Sequence, residues 1–186
     1  MKKLSILSFS IVLLFAGCDE GSVSKDDGEW ISLFNGMNLD GWESPFEGFD
    51  EIWSVKDGVV DCNPIVYPRA NKNLWSSRSF KDFQLHVEWR LKRTEGLHDI
   101  PEILPDGTYK RDESGEVLLT PLPNADSGVC VRGERKAQIN IWCWPVGSGE
   151  VWSYRTNQED PVVRAGVTPK TRADKPVGEW NAFDIT

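Results

Sequence analysis

From Phe83 to Leu91, apolar and polar residues alternate without a break. A β-strand places successive side chains on opposite faces, so this pattern predicts a strand with one buried and one polar face. Residues 138–144 alternate in the same way, and Asp57-Gly58 separates two apolar-rich runs as a hairpin turn does. After residue 29, no segment keeps an apolar helical period over several turns. The sequence therefore predicts an all-β fold, built as an antiparallel β-sandwich.

The N-terminus has the composition of a secretory signal. Lys2 and Lys3 precede an apolar run from Leu4 to Phe15, and small residues then lead to Cys18. A basic start, a short apolar centre and small residues before a cleavage point are typical of signal peptides. Small residues directly before a cysteine also resemble a bacterial lipobox, in which Cys18 carries lipid and becomes the mature N-terminus. An ordinary cleaved signal is the alternative.

Three segments follow from this boundary: a lipoprotein signal peptide at residues 1–17, a flexible tether at 18–29 and a β-sandwich domain at 30–186. The tether holds small and charged residues, which build no packed core. A lipid anchor at Cys18 would place the domain in the bacterial cell envelope, in the periplasm or at the outer membrane. The chain stops at Thr186 inside a predicted strand, and we interpret it as a fragment that lacks its closing strands.

The net charge of the chain limits the kinds of molecule that it is expected to bind. The formal net charge is -8, and removal of residues 1–17, which hold two lysines and no acidic residue, takes it to about -10. Nucleic-acid binding needs clustered Lys and Arg against the phosphates, so we expect no nucleic-acid partner. A neutral ligand such as a carbohydrate fits this charge better, and solvation alone also explains an acidic surface.

The cysteines do not form a disulfide framework. If Cys18 carries lipid, Cys62, Cys130 and Cys143 remain, and an odd number cannot be fully paired. One bridge between Cys130 and Cys143 is an alternative, but small buried thiols are the interpretation that we favour. No two cysteines have the spacing of a zinc-binding pair, so a structural zinc site is not expected.

Residues 127–144 predict a second hairpin with two distinct faces. If Val131 pairs with Ile139 across a polar connection, the valines and isoleucines share the core face. The opposite face then carries a guanidinium, two amides and an indole, from Arg132, Gln138, Asn140 and Trp142. Amides and guanidinium groups donate hydrogen bonds to sugar hydroxyls, and an indole packs on the C–H face of a pyranose. This face is predicted to bind a sugar-like ligand, with a solvent-exposed sheet face as the alternative.

Candidate catalytic bases are few. Glu88 lies in the middle of a predicted strand, among apolar neighbours that would raise its pKa by desolvation, so it is the first candidate. Asp126 precedes a Ser-Gly pair, where capping a turn is the default role and binding a hydroxyl or a metal is the alternative. His86 and His98 are expected to be structural or exposed. Local motifs support neither a Ser-His-Asp triad nor a phosphate-binding loop.

The stretch between Leu91 and Ser127 is rich in Pro, Gly and charged residues. A connection this long usually carries function or has some structure of its own. Glu113-Ser114-Gly115-Glu116 before three apolar residues predicts a small hairpin excursion. A mobile surface insertion is the alternative.

Short blocks that combine a turn or strand edge with a bulky aromatic occur along the whole predicted domain. They are Leu33-Phe34-Asn35-Gly36, Gly41-Trp42, Trp53-Ser54-Val55 with Asp57-Gly58, Asp126-Ser127-Gly128 with Arg132, and Glu179-Trp180-Asn181. In this order and at these distances, they resemble the 3-keto-disaccharide hydrolase family, from roughly Trp30 onward. The resemblance implies a concanavalin A-like jelly-roll β-sandwich with its site on the concave sheet. The Glu-x-Asp-x-x-Glu strand of laminarinase-like enzymes on that fold is absent, which argues against ordinary two-carboxylate hydrolysis.

The chemistry that the resemblance implies needs one base. Oxidation at C3 of a sugar acidifies the C2 proton, and once that proton is removed the glycosidic oxygen leaves from C1 before water adds. The resemblance implies Glu88 as the base, Arg132 as the stabiliser of the enolate oxygen, and a divalent metal ion as an optional cofactor. The substrate is expected to be a carbohydrate, bound by Asp126, Gln138, Asn140, Trp142 and Glu150.

The chain departs from the family at one carboxylate. Many members carry a Glu two residues before the position of Gln138, where this chain has Lys136. Glu150 is the candidate to replace it, with an ordinary loop role as the alternative. The favoured function is a cell-envelope enzyme that cleaves 3-keto-glycosides by base-assisted elimination and hydration. A non-catalytic lectin-like module is the main alternative, and an interaction domain of an envelope complex is a third.

Overall fold

The computed structural model describes residues 8–18, by their backbone, and residues 30–45, 47–63, 73–133, 135–157 and 159–186. The strands are β1 Ser8–Cys18, β2 Trp42–Glu43, β3 Trp53–Lys56, β4 Val59–Cys62, β5 Trp75–Ser76, β6 Phe83–Arg93, β7 His98–Pro101, β8 Leu119–Leu122, β9 Asp126–Cys130, β10 Gln138–Trp142 and β11 Asn181–Ile185. The helices are α1 Phe49–Ile52, α2 Trp152–Asn157 and α3 Pro161–Gly166, with a 3₁₀ turn at Arg135–Ala137. The described chain is thus mostly strands with a few short helices. The all-β class is confirmed, and this content is compatible with the predicted sandwich; the jelly-roll winding stays a prediction.

The chain divides into two compact units. The first, which we call the sheet unit, comprises Ser8–Lys92 and Gly178–Thr186. The second, which we call the hairpin unit, comprises Arg93–Val177. The backbone N–H of Gly178 donates to the carbonyl of Leu91 over 2.8 Å. The points at which the chain leaves the sheet unit and returns to it are therefore next to each other.

The sheet unit is built on a five-stranded sheet in the order β11-β6-β1-β4-β3. Alternation in β6 has the predicted effect: Val87 and Trp89 are buried on one face, and Phe183 of β11 packs 5.4 Å from Trp89, centroid to centroid. The predicted hairpin turn is confirmed between β3 and β4, where Asp57 and Gly58 both have positive φ, at 52° and 73°.

On the polar face of this sheet, Asp61 is 3% exposed and forms ion pairs with Lys56, at 2.7 Å, and with Lys92. A buried carboxylate needs such partners, because removing an unpaired charge from water is unfavourable. Burial alone would raise the pKa of Asp61, but the hydrogen bonds and charges of the two lysines outweigh it and hold that pKa below its usual value.

Strand β1 lies between β4 and β6, with Phe9 opposite Cys62 and Ile11 opposite Val60. The same residues form the apolar centre of the predicted signal peptide. The two roles exclude each other in one mature molecule, because a segment that has been cleaved off cannot pair with β4. The boundaries at residues 17 and 29 stay predictions, and residues 19–29 lie outside the described part of the chain. Among the described residues, no helix is long and apolar enough to cross a membrane.

The hairpin unit contains the antiparallel pairs β7–β8 and β9–β10 and the two short helices α2 and α3. Between β7 and β8 the chain forms a ladder of bridges, Ile103 to Tyr109 and Arg111 to Val117. The stretch between Leu91 and Ser127 therefore has structure of its own, and the predicted hairpin around Glu113–Glu116 is confirmed. We call residues 102–118 the excursion.

Candidate functional site

The β9–β10 hairpin exists, but its register differs from the predicted one. Ile139 lies opposite Val129 and not opposite Val131, a shift of two residues. The cause is the connection, which is longer than assumed because a 3₁₀ turn occupies Arg135–Ala137 before β10 begins. A shift by two preserves the faces of both strands, so the predicted division into an apolar and a polar face is retained.

The polar face of this hairpin brings together several residues predicted for the site. Asp126 lies opposite Trp142, and Gly128 lies opposite Asn140. The Gln138 amide crosses over Gly128 and donates to Asn140 Oδ1 over 3.1 Å and to the Ser127 carbonyl over 3.2 Å. A Cβ on Gly128 would come within 2.6 Å of the Gln138 side chain, so glycine is what admits this amide.

Residues Gly149 and Glu150 continue the sheet beside β10 as a bulge. Asn140 N–H donates to the Glu150 carbonyl and Gly149 N–H donates to the Asn140 carbonyl, both over 2.8 Å. Two residues therefore face one, and Gly149 takes a φ of 103°, which favours glycine. Because Ile139 bridges Val151 on the apolar side, Glu150 shares the polar face with Asn140.

Glu150 is fully buried and paired with a buried arginine. Its Oε1 lies 2.8 Å from Arg155 Nε on α2, and the two residues are 0% and 2% exposed. The ion pair is close, but the N–H direction does not satisfy hydrogen-bond geometry. Burial raises the pKa of Glu150; the Arg155 guanidinium opposes this rise and the charge of nearby Asp126 adds to it.

The excursion binds the two terminal nitrogens of the Arg155 guanidinium. One terminal nitrogen donates to the Gly107 carbonyl over 3.1 Å and the other to the Tyr109 hydroxyl over 3.2 Å. The guanidinium also lies over the Tyr109 ring, 4.8 Å from its centroid. The arginine is thus held by the excursion, which is distant from it in sequence, while its Nε lies against Glu150.

Asp126 combines exposure with an enclosed carboxyl. The residue keeps surface open to solvent, yet surrounding protein atoms limit hydration of its carboxyl and raise its pKa to about 6. The carboxyl is therefore exposed but partly shielded from water, and its pKa is suited to taking up a proton near neutral pH.

Trp142 is not on an open face. It is 2% exposed, its indole N–H donates to the Gly147 carbonyl over 2.7 Å, and it stacks on Trp144 at 4.0 Å between ring centroids. The half-buried Trp144 donates its own N–H to Asn124. In this conformation Trp142 supports the hairpin, and its predicted contact with substrate would need this cover to move.

The two residues predicted to act in catalysis lie elsewhere. Arg132 is exposed in the turn after β9, with a φ of 61°. Glu88 is half-buried on β6, opposite Ala182 of β11, and belongs to the sheet unit. The predicted set is therefore brought together only in part, as Asp126, Gln138, Asn140, Trp142 and Glu150 on one hairpin face. Their roles stay predictions.

Cysteines and metal ligands give a simple picture. Cys62, Cys130 and Cys143 are free thiols, so the prediction of unpaired cysteines is confirmed; Cys62 is buried as expected, whereas Cys130 and Cys143 are only half-buried. In the part of the chain that the structure describes, no group of three or more His, Cys, Asp or Glu side chains could hold a metal ion.

The described part of the chain is rich in strands, and its β9–β10 hairpin carries carboxyl and amide groups on one face. A family model described as the 3-keto-alpha-glucoside-1,2-lyase-like domain matches residues 29–186. The chain therefore belongs to this family. Searches of curated proteins and of solved structures return no match.

The sequence did not reveal Arg155 and Tyr109. Neither lies in a motif: Arg155 contacts Glu150 from α2, and Tyr109 of the excursion contacts Arg155. The available signal was indirect: a Gly-flanked Glu beside a predicted strand calls for a buried positive partner if it faces inward.

Proposed function

We propose that this domain cleaves 3-keto-glycosides by base-assisted elimination followed by hydration, with Asp126 as the general base. The observation that carries the proposal is the exposed Asp126 side chain on the polar face of the β9–β10 hairpin, whose pKa is raised to about 6 by burial of its carboxyl. A base of this pKa is largely ionised at neutral pH and still has affinity for a proton.

The reaction needs a base, a group that orients the sugar and a stabiliser of the enolate oxygen, and the hairpin unit offers a candidate for each. Asp126 would take the C2 proton, and the electron pair left behind would form the enolate and expel the glycosidic oxygen from C1. The N–H groups of the half-buried Gln138 amide bond Asn140 and Ser127, so its carbonyl oxygen is the atom proposed to accept hydrogen bonds from sugar hydroxyls. Arg132, exposed in the following turn, is the proposed stabiliser of the enolate oxygen.

Glu88 is kept as the competing base, because its position on β6 was favoured by the sequence. We also propose that the domain acts in the bacterial cell envelope, tethered by lipid on Cys18. A divalent metal ion remains an optional cofactor of the proposal.

The test compares two substitutions on the full chain. NMR would follow loss of the anomeric signal of 3-keto-glucosides and of their unoxidised parents, with and without a chelator. Turnover of the keto forms alone supports the proposal, and Asp126→Asn should then lower kcat by about 10²–10⁴-fold. Asp99→Asn, an exposed aspartate of the same unit outside the hairpin, is the matched control and should change little.

The outcomes separate the alternatives. Loss of turnover in Glu88→Gln but not in Asp126→Asn would move the base to the sheet unit. Ligand-induced chemical-shift changes without turnover of any glycoside would replace the enzyme with the lectin-like module.

A further inference from the structure

The polar face of β6 carries His86, Glu88 and Arg90, which alternate with the buried residues of that strand. All three are half-buried. Successive residues on one face of a strand lie about 7 Å apart, so the three form a continuous line, which we call the polar row. The next residue on this face, Lys92, is already paired with Asp61.

Both ends of the polar row are held by contacts from the β11 side of the sheet. His86 Nδ1 lies 2.7 Å from Asp184 Oδ1 on the opposite strand. An ionised carboxylate only accepts hydrogen bonds, so Nδ1 donates, and Nε2 of the neutral ring is left as an acceptor. At the other end, the Arg90 guanidinium lies over the Trp180 ring, 4.8 Å from its centroid.

The groups in the middle of the polar row have no partner in the described part of the chain. Glu88 lies opposite Ala182, whose side chain ends at Cβ and has nothing to donate. Among the described residues, neither the Glu88 carboxylate nor the Arg90 guanidinium makes a hydrogen bond or an ion pair, and Arg90 Nε is enclosed by protein. Enclosed polar groups are almost always satisfied, so these two groups call for a ligand.

The chemistry of the polar row selects the kind of ligand. Glu88 offers acceptors and Arg90 offers donors, whereas a hydroxyl both donates and accepts, so neighbouring hydroxyls of one sugar satisfy both residues. A negatively charged ligand would be repelled by Glu88 and Asp184, and a cationic one by Arg90. The half-buried Trp180 adds apolar surface against which the C–H groups of a sugar ring pack.

We propose that the polar row is a second carbohydrate-binding site, on the sheet unit, and that it takes an uncharged sugar through hydroxyls bonded to Glu88 and Arg90. Asp184 is a positioning residue, because it acts through the His86 ring. The site goes beyond the proposed function, since it requires no keto group and breaks no bond. A sugar is held there without reacting.

The experiment is a ¹H–¹⁵N NMR titration of the full chain with methyl α-glucoside, followed at the Arg90 Nε–H and the Trp180 indole N–H. Both signals should shift and saturate. Ala182→Leu fills the space opposite Glu88 and keeps every charged group, so it should raise Kd by about tenfold, the cost of one hydrogen bond to a charged group. Ala173→Leu, at an exposed alanine of the hairpin unit, is the matched control and should leave Kd unchanged.

Two further arms test the chemistry of the ligand. Glucuronate carries a negative charge and should bind more weakly than methyl α-glucoside. Arg90→Lys keeps the charge but loses the planar stack on Trp180, and it should also raise Kd by about tenfold. Tighter binding of glucuronate would overturn the assignment of an uncharged ligand.

Other results would overturn the site itself. Shifts confined to the hairpin unit would do so, as would equal Kd values in the wild type and in folded Ala182→Leu, whose substituted position is exposed. Methyl α-glucoside has no keto group, so an enzyme without turnover refutes the proposed function and leaves this binding result intact. Loss of turnover in Glu88→Gln with Asp126→Asn still active would make the polar row the reacting site, and a second site would be excluded.

Discussion

Gly107 and Gly115 offer a controlled test of how tightly the excursion is packed against α2 and α3. The two turns have the same hydrogen bonds: Gly107 N–H donates to the Leu104 carbonyl, and Gly115 N–H donates to the Asp112 carbonyl. In each turn the N–H of the first residue also donates to the carbonyl four residues later. Their φ values are also alike, at 82° and 87°. They differ in surroundings, because a Cβ on Gly115 would meet nothing within 4 Å.

At Gly107, the same Cβ would lie 2.6 Å from Thr168 Oγ1, 2.7 Å from Arg164 Cγ and 3.1 Å from Arg155 Cγ. Alanine in the left-handed region costs roughly 1–2 kcal/mol at either site. Overpacking adds roughly 1–3 kcal/mol at Gly107 alone. We therefore expect Gly107→Ala to lose about 2–5 kcal/mol of unfolding free energy and Gly115→Ala only about 1–2 kcal/mol.

The assay is urea unfolding of both variants and the wild type, with Tm as a second measurement. One kcal/mol corresponds to roughly 2–4 °C in a chain of this size, so Gly107→Ala should melt about 10 °C lower than the wild type. Equal losses in the two variants would refute the argument, because they would mean that the excursion is not packed on Arg155 and Thr168 as the structure has it.

Three further predictions follow from the charged groups. Arg155→Met should destabilise the fold by about 3–5 kcal/mol, measured by urea unfolding, because it leaves the buried carboxylate of Glu150 without its partner. Asp61 should stabilise the fold fully above its ordinary pKa, and this stabilisation should be lost as pH falls through its lowered folded-state pKa. Asp61→Asn should therefore flatten acid unfolding curves below about pH 4. For Asp126 the sign is opposite: its raised pKa means that the folded chain binds the proton more tightly, so stability should fall as pH rises from about 4 to about 6 and level off above. In Asp126→Asn, Tm measured across that range should lose this slope, and a slope that persists would assign it to another group.

The strands that the sequence predicted best are those where burial on one face determines the pattern. Alternation located β6 and the polar face of β9–β10, because a two-residue periodicity belongs to the strand itself and does not depend on its partners. The register of β9 and β10 could not be read in the same way. A slip by two keeps every side chain on its face, so hydrophobicity does not distinguish the predicted pairing from the observed one.

The site was predictable where it lies on one hairpin and not where it depends on tertiary contacts. Gln138 and Asn140 followed from alternation, whereas the burial of Trp142 depends on its stacking with Trp144 and its bond to Gly147. Arg155 came from a short helix with no motif. Nothing in a single sequence tells which arginine will be buried beside a given glutamate.

The hydrogen bond between Gly178 and Leu91 has a consequence for engineering and ancestry. The chain leaves the sheet unit at the end of β6 and returns just before β11, the strand that pairs with β6. Residues 93–177 are therefore inserted between two neighbouring strands. Adjacent entry and exit points are what make a segment exchangeable as a cassette, since a tight turn can close the gap that remains. A lineage could thus swap or resize residues 93–177 while the sheet unit keeps its strand pairing.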